Sequence, residues 1–280
     1  MSTSWVDRYL ARINTTRPVA ADLQALRELQ LAHLYTVPFE NLSIHLGEPI
    51  ILDQGALTDK VVGRRRGGFC YELNGAFAGL LAELGFRVSL LQARVFGTGE
   101  LPGPPFDHMT LRVDLAEAWL VDVGFGRFTE QPLRLDSRTE QADPAGTFLI
   151  AESPSGHGDL DVFADGKPAY RVDPRPYPLA DFAPTCWYQQ TSPASHFTRS
   201  LTCSIPTKSG RVTLSGDRLI LTEGSAREER TLTGDADILD AYRRYFGIDL
   251  DRVPRIRELG QADFPEERPQ EPGTPAPDAK

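Results

Sequence analysis

The sequence predicts an α+β fold, because the pattern of apolar residues changes along the chain. Up to residue 86, apolar residues recur at spacings of three and four, which is typical of amphipathic helices. From residue 87 to about 190, short alternating segments lie between turn residues, which predicts an antiparallel barrel or sandwich. Residues 191–260 combine several strands with one helix, and the Pro-, Glu- and Asp-rich residues 261–280 are expected to be disordered.

The helical segments have identifiable faces and boundaries. A first helix is predicted from one apolar face, formed by Val6, Tyr9, Leu10 and Ile13. Asp22 is expected to cap a second helix, which Pro38 ends. A third helix is predicted to begin at Cys70, to continue through leucines at helical spacing and to stop at Gly85.

The strand-rich part begins with three segments: Arg87–Val95, His108–Asp114 and Ala118–Val123. Ala116 and Glu117 lie in the tight connection between the last two segments, so we predict that these pair as a hairpin. Further strands are predicted over Thr147–Glu152, Leu160–Phe163, Ala169–Val172, Thr202–Ile205, Arg211–Leu214, Arg218–Thr222 and Glu229–Leu232. The last predicted element is a helix over Asp237–Phe246, which Gly247 ends.

Composition and charge argue against several classes of protein. The chain has 280 residues, 40% of them hydrophobic and 25% charged, as is usual for a globular protein. A net charge of −9 argues against a general nucleic-acid-binding protein, which usually presents a basic face. No run of about 18 apolar residues occurs, so no membrane partner is predicted. The N-terminal residues lack the pattern of a secretory signal, and three cysteines do not make a disulfide framework, so we expect a cytoplasmic protein.

The segment Arg64-Arg-Arg-Gly-Gly-Phe-Cys-Tyr-Glu-Leu-Asn74 places Cys70 at the start of the third predicted helix. Unpaired backbone N–H groups and the helix dipole favour negative charge at such a position. We therefore expect a lowered pKa for the Cys70 thiol, which makes this residue a candidate nucleophile. Arg64 and Arg65 are equally well explained as solvated surface residues.

A nucleophilic cysteine needs a base within hydrogen-bonding reach and a group that orients the base. His108 is the favoured base, because it begins a strand directly after a loop rich in Gly and Pro. The other histidines lie in a predicted helix, in loop-like segments or after a proline: His33, His45, His157 and His196. In a hairpin, the residue numbers of each pair of opposed residues add up to a constant, which we expect to be about 231 here. Asp122 then lies within one register step of His108. An unpaired carboxylate between two valines of a strand is costly, so Asp122 is the candidate third member.

Two other kinds of site fit the sequence poorly. Cys186, His196 and Cys203 lack the closely paired spacing of structural zinc ligands. Gly124-Phe-Gly126 is too short for a dinucleotide-binding fingerprint, and no P-loop motif occurs. We therefore expect neither a bound metal nor a nucleotide fold of these kinds.

The candidate residues lie in motifs that together resemble the arylamine N-acetyltransferase family. In chain order these motifs are Val37-Pro-Phe-Glu-Asn-Leu42, Arg66-Gly-Gly-Phe-Cys-Tyr-Glu-Leu-Asn74, His108 and Asp122-Val-Gly-Phe-Gly126. The resemblance extends from the N-terminal helices to about residue 250. It implies a helical bundle over residues 1–86 that carries the cysteine, and a central antiparallel β-barrel over 87–190 that carries His and Asp. It also implies a C-terminal α/β lid over 191–260 and a triad arranged as in cysteine proteases.

The resemblance further implies a reaction. The catalytic triad would consist of Cys70, His108 and Asp122. Acetyl-CoA would be the co-substrate, and an acetyl-cysteine intermediate would pass the acetyl group by a ping-pong mechanism to an arylamine, arylhydrazine or N-hydroxyarylamine. A role in xenobiotic metabolism would follow, and a homodimer is compatible with the sequence.

Several further positions follow from the same resemblance. An aromatic acceptor pocket would be walled by Phe39, Phe125 and Phe197, although aromatic residues commonly belong to the core. Coenzyme A would pass near Thr110 and Gly126. Glu40 and Arg66 would form a buried ion pair that holds the cysteine loop. Residues 213–230 should shape the coenzyme A cleft, but they contain no motif that we can align.

Three alternatives to the acetyltransferase stay open at this point. An ansamycin-type amide synthase would keep the fold and triad but would move a polyketide chain onto an arylamine. A Cys-His-Asp hydrolase of transglutaminase or protease type would pass the acyl group to water or lysine. A non-catalytic binding relative is disfavoured, because all three triad residue types are present.

Overall fold

The computed structural model describes residues 4–97 and 101–256 and has an α+β fold. Its α-helices are α1 (Trp5–Arg12), α2 (Leu23–Leu34), α3 (Leu42–Leu46), α4 (Gln54–Thr58), α5 (Cys70–Glu83), α6 (Ala183–Thr191), α7 (His196–Arg199) and α8 (Asp235–Ala241). Its strands are β1 (Phe39–Glu40), β2 (Arg87–Val95), β3 (His108–Asp114), β4 (Ala118–Val121), β5 (Leu133–Arg134), β6 (Gln141–Asp143), β7 (Gly146–Glu152), β8 (Leu160–Ala164), β9 (Lys167–Tyr177), β10 (Thr202–Thr207), β11 (Gly210–Ser215), β12 (Arg218–Glu223) and β13 (Ala226–Thr231).

The predicted starts of α2 and α5 agree with the structure. Asp22 accepts a hydrogen bond from Ala25 N at 2.9 Å, so its side chain caps α2 as expected. Helix α5 begins at Cys70, and Glu72 Oε2 accepts from Phe69 N at 3.2 Å, which satisfies one of the N–H groups at the start of the helix. Gly85 follows the helix with φ +92°, a conformation that glycine adopts readily.

The central sheet is a nearly closed antiparallel barrel. Its eight strands follow the order β5-β4-β3-β2-β9-β8-β7-β6. The two edge strands meet, since Arg134 N donates to Gln141 Oε1 at 2.7 Å and Gln141 Nε2 donates to Arg134 O at 3.1 Å. The interior is filled by apolar side chains that include Phe148, Ile150, Val162, Tyr170 and Val172. Helix α5 lies against the outside of β2 and β3.

A second antiparallel sheet joins distant parts of the chain in the order β1-β10-β11-β12-β13. Phe39 in β1 pairs with Ser204, and Glu40 pairs with Cys203. One face of this sheet packs on α8 and the turn after it, through residues such as Cys203 and Leu214. The β1–β10 pairing was not predicted, because a two-residue strand has too little pattern to be identified from sequence.

The predicted hairpin forms, but its register differs from the prediction by one residue. Leu111 pairs with Val121 and Asp114 with Ala118, so residues 115–117 form the connection. The predicted register would place Asp122 opposite Met109, on the other face of the sheet from His108. The observed register, continued past the end of β4 at Val121, places Asp122 opposite Thr110, on the same face as His108.

Other elements differ in their bounds. His45 lies in α3 rather than in a loop, and α8 begins at Asp235, two residues earlier than predicted. A π-helical turn over Tyr242–Phe246 completes that segment, and Gly247 follows it with φ +64°. The division of the chain at residues 86, 190 and 260 stays a prediction, and residues 261–280 lie outside the described residues. Within 4–97 and 101–256, none of the helices has the length and apolar character needed to cross a bilayer.

Candidate active site

The loop before Cys70 packs tightly on the Pro38–Glu40 segment. Glu40 N donates to Gly68 O at 2.8 Å. A Cβ atom on Gly67 would lie 1.9 Å from Pro38 O, so a larger residue cannot occupy this position without moving the backbone. The two glycines of the Arg-Gly-Gly-Phe-Cys motif therefore allow the close approach that places Cys70 at the start of α5.

Four buried charges lie beneath this loop. Arg66 Nε and Nη2 donate to Glu40 Oε1 at 3.1 and 3.0 Å, which confirms the predicted ion pair. Lys60 Nζ lies 2.5 Å from Glu72 Oε1 and 3.9 Å from Glu40 Oε1. Burial by itself would raise the pKa of Glu40, but Lys60 and Arg66 bring it below its ordinary value. The negative charges of Glu40 and Glu72 are thus balanced by the positive charges of Lys60 and Arg66. Sequence analysis did not identify Lys60 and Glu72 as members of this cluster.

The Cys70 side chain is buried, with 3% of its surface exposed. Burial raises the pKa of its thiol well above the ordinary value, although the Met109 backbone N–H lowers it in part. The expectation that the helix N-terminus lowers this pKa is therefore wrong in sign. Loss of hydration, which disfavours the thiolate, is the largest effect on this pKa, even though Cys70 lies in the first turn of α5, where the helix dipole acts.

His108 and Asp122 are paired and buried. His108 Nε2 lies 2.6 Å from Asp122 Oδ2, and both residues are at most 2% exposed. Asp122 Oδ1 accepts from Asn74 Nδ2 at 3.0 Å and from Gly124 N at 2.9 Å. Because Nε2 contacts the carboxylate, Nδ1 is the ring nitrogen left to exchange a proton, and His108 lines the same cavity as Cys70.

Gly124 brings the loop after β4 against the start of α5. A Cβ on Gly124 would lie 2.7 Å from Cys70 Cα and 2.6 Å from Asn74 Nδ2. Only glycine therefore allows this approach. Asn74 and Gly124 were part of the quoted motifs but had no role assigned; a polar residue four positions after Cys70 on an apolar helix is the signal that could have identified Asn74.

A cavity of 410 Å³ opens beside Cys70 and His108. Phe39, Phe125 and Phe197, the predicted substrate residues, all line it. They are partly buried and each packs against a core cluster, so they combine core packing with exposure to the cavity. The ring of Phe125 meets the His108 ring edge-on, with centroids 5.1 Å apart. The cavity thus offers an apolar, aromatic space directly against Cys70 and His108.

Polar residues of the connection before β3, of α6 and of the start of α7 also line the cavity. Asp107 accepts from Gln189 Nε2 at 2.7 Å, and Ser195 Oγ donates to Gln189 Oε1 at 2.5 Å. Burial raises the pKa of Asp107. His196 also lines the cavity, and its Nε2 lies 3.0 Å from Ser200 Oγ. Sequence analysis assigned no role to Asp107, and it missed Gln189 and Ser195 because α6 and α7 were not predicted.

Other residues considered from sequence lie elsewhere. Thr110 is fully buried and donates to Val121 O at 3.0 Å. Gly126 lies beside the Phe39 ring, where a Cβ would be 3.6 Å from it. Neither lines the cavity, so their contact with coenzyme A stays a prediction. Of the residues weighed as zinc ligands, Cys186 packs among the aromatic residues near Cys70, whereas Cys203 lies in the core of the other sheet.

Comparison with known proteins gives consistent results. Residues 22–255 match the model of a family described as N-acetyltransferase. The arylamine N-acetyltransferase of Mycolicibacterium smegmatis is 37% identical over 254 residues, which cover 86% of this chain and 91% of that protein. The arylamine N-acetyltransferase of Mycobacterium bovis is 35% identical over 279 residues, which cover 96% and 98%.

A solved structure supports the same relationship. The arylamine N-acetyltransferase of Mycobacterium marinum in complex with CoA superposes with a TM-score of 0.79 and 34% identity. The match covers 87% of this chain and 92% of that one. The α+β fold predicted from the sequence is thereby confirmed, and the amide-synthase and hydrolase alternatives gain no support from these relatives.

Proposed function

The chain belongs to the arylamine N-acetyltransferase family, and on that premise we propose that it transfers an acetyl group from acetyl-CoA to an arylamine through Cys70. The assignment of catalytic roles rests on one observation: His108 Nε2 lies 2.6 Å from Asp122 Oδ2, beside the cavity that Cys70 lines. A cysteine, a base and an orienting carboxylate in this arrangement support nucleophilic catalysis.

In the first half-reaction, Cys70 loses its proton to His108. Because burial raises the pKa of the isolated thiol, the thiolate depends on the positive charge of the protonated imidazole. Asp122 stabilises that imidazolium and holds the ring in place. The sulfur attacks the acetyl carbonyl carbon, the bond from that carbon to the coenzyme A sulfur breaks, and the departing thiolate takes the proton from His108. One thioester replaces another, so no external energy source is needed.

In the second half-reaction, the amine nitrogen attacks the acetyl-Cys70 carbonyl. His108 accepts the proton that the nitrogen loses, the carbon–sulfur bond breaks, and Cys70 is restored. Both steps pass through an oxyanion, and the backbone N–H of Cys70 at the start of α5 is a candidate donor to it. The aromatic walls of Phe39, Phe125 and Phe197 suit a flat arylamine next to the thioester. Ping-pong kinetics follow from the covalent intermediate.

Intact-protein mass spectrometry tests the proposal. The wild-type protein, mixed with acetyl-CoA alone, should gain the mass of one acetyl group and lose it when aniline or isoniazid is added. The Cys70→Ser variant should show no thioester adduct, whereas Cys203→Ala, which removes a buried thiol of the other sheet, should be acetylated normally. A wild-type protein that gains no acetyl group, or an adduct that the amine does not remove, contradicts the proposal.

The finer assignments are part of the same proposal. We infer that arylhydrazines and N-hydroxyarylamines are also acceptors, and that the protein acts on xenobiotics in the cytoplasm. Rates with one compound of each acceptor class, measured against the same concentration of acetyl-CoA, would rank these acceptors. A homodimer stays a prediction, which light scattering in solution would check.

A further inference from the structure

One face of the second sheet is directed toward the catalytic cavity. Residues that pair across antiparallel strands share a face, so Phe39, its partner Ser204, and the neighbouring Arg211 and Thr213 all lie on one side. The opposite side carries the apolar residues that pack on α8. Because Phe39 lines the cavity, Arg211 lies on the cavity side of the sheet, diagonally across from Phe39.

Arg211 has an unusual environment for a mostly buried guanidinium. Its Nη1 donates to Ser204 Oγ at 2.9 Å, but no carboxylate of the described residues lies within ion-pairing distance. Burial lowers the pKa of Arg211, and the nearby charge of Arg127 lowers it further. Removing a charge from water without a partner is costly, so the site favours an anion.

Arg12 shows how this protein otherwise accommodates a buried guanidinium. Its nitrogens donate to three backbone carbonyl oxygens, those of Val61, Thr36 and Arg65, at 3.2, 3.0 and 3.3 Å. These acceptors satisfy Arg12 without an anion. Arg211, by contrast, donates to a single hydroxyl oxygen, that of Ser204.

Arg127 provides a second positive charge, near enough to lower the pKa of Arg211. It directly follows Gly126, whose backbone lies beside the Phe39 ring, and its side chain is exposed. It likewise has no ion-pair partner in the part of the chain that the structure describes. Glu130 is close enough to raise the pKa of Arg211 slightly, but its carboxylate accepts from Tyr35 OH at 3.0 Å and pairs with neither arginine.

We propose that Arg127 and Arg211 bind a phosphate group of the coenzyme A donor, an inference that rests on the proposed function. Coenzyme A carries a diphosphate and a ribose 3′-phosphate at the end of the arm that bears the thioester. Guanidinium groups match phosphate oxygens in geometry and charge. Arg127 follows Gly126, which lies beside the Phe39 ring, and Arg211 lies in β11 on the same side of the sheet as Phe39, which lines the cavity together with Cys70. This assignment gives the coenzyme A cleft two residues that flank positions considered from sequence, since Arg127 follows Gly126 and Arg211 precedes residues 213–230.

Donors that differ only in their phosphates test this assignment. The rate of Cys70 acetylation should be measured with acetyl-CoA, acetyl-dephospho-CoA and S-acetylpantetheine for wild type, Arg127→Ala, Arg211→Ala and the double variant. With acetyl-CoA, kcat/KM should fall about tenfold to a hundredfold, the range for the loss of charge-assisted hydrogen bonds. With S-acetylpantetheine, which has no diphosphate, it should be unchanged. Arg8→Ala, which removes an exposed charge on α1, is the matched control and should match wild type with every donor.

The donors also show which phosphate is bound. If the arginines hold the 3′-phosphate, their effect disappears with acetyl-dephospho-CoA; if they hold the diphosphate, it persists. An equal loss with acetyl-CoA and S-acetylpantetheine would indicate a structural role and overturn the inference, as would no loss with either. Arg127 is exposed, so its variant reports on binding even if Arg211→Ala folds poorly. If no donor acetylates the wild-type protein, the proposed function itself is refuted. If acetylation is normal but insensitive to both arginine substitutions, only the phosphate-binding inference is refuted.

Discussion

Asn74 Nδ2 donates a hydrogen bond to Asp122 Oδ1 at 3.0 Å, from a position one helical turn after Cys70. The same nitrogen donates to Met109 O at 2.6 Å, and Asn74 Oδ1 accepts from Val123 N at 2.9 Å. One side chain therefore connects the helix of the proposed nucleophile to the strand of the proposed base and to the loop of the proposed carboxylate. We infer that Asn74 is a positioning residue for the reaction.

Replacing Asn74 with alanine should lower kcat/KM for acetyl transfer by about tenfold to a hundredfold, because Asp122 loses a buried, charge-assisted hydrogen bond. The loss should appear in kcat, while KM for acetyl-CoA stays near the wild-type value, since Asn74 does not line the cavity. Steady-state kinetics at several pH values measures both. A purely structural role predicts a lower thermal midpoint with unchanged kcat in the fraction that remains folded.

Gly124→Ala should nearly abolish acetylation of Cys70. The new methyl group would lie 2.7 Å from Cys70 Cα and 3.0 Å from Cys70 O, so the loop after β4 must move away and carry Asp122 with it. The readout is the rate at which acetyl-CoA modifies the protein, followed by mass. Gly97→Ala is the control, because a Cβ there meets no atom within 4 Å, and its rate should equal that of wild type.

Breaking the buried ion pair should destabilise the fold more than it alters the chemistry. Arg66→Met leaves Glu40 with one distant cation, Lys60 at 3.9 Å, and should lower the free energy of unfolding by about 3–5 kcal/mol. Urea denaturation measures this change. The double variant Glu40→Gln/Arg66→Met should cost less than the sum of the single changes, since no uncompensated charge remains. Arg134→Ala, which removes an exposed ion pair with Asp136, should have no measurable effect.

His33 should make the protein less stable in acid. It is fully buried, its Nδ1 lies 3.1 Å from Tyr9 OH, and burial together with the charge of Arg12 lowers its pKa to about 3 from an ordinary 6.5. Between these two values the unfolded chain binds a proton that the folded protein does not. The contribution of His33 to the free energy of unfolding is therefore fully present above pH 6.5. It falls as the pH is lowered toward 3, by up to about 1.4 kcal/mol per pH unit.

The His33→Leu variant isolates this effect. Its unfolding free energy should decline less steeply than that of wild type between pH 6.5 and the onset of acid unfolding, even if its stability at pH 7 is lower. Urea titrations at half-unit pH intervals provide the two slopes. His157→Leu, at an exposed turn, should keep the wild-type slope. Equal slopes for wild type and His33→Leu would show that His33 is protonated in the folded protein.

Several elements could be predicted from sequence because their signals are local. The bounds of β2 and β3, the capping of α2 by Asp22 and the start of α5 at Cys70 all follow from patterns within a few residues. The Glu40–Arg66 pair and the three phenylalanines of the cavity came from the family resemblance, not from such patterns. Helices α6 and α7 were missed, because they are short and depend on packing for their stability.

The sequence by itself determined the fold class, most of the local elements and the identity of the candidate nucleophile, base and carboxylate. Only the tertiary structure decided how they meet. A one-residue difference in register put Asp122 on the face of His108, and burial reversed the expected direction of the Cys70 pKa. The β1–β10 pairing placed Arg211 on the cavity side of the second sheet. These outcomes depend on contacts between residues far apart in the chain and on loss of hydration at the site, which no local pattern encodes.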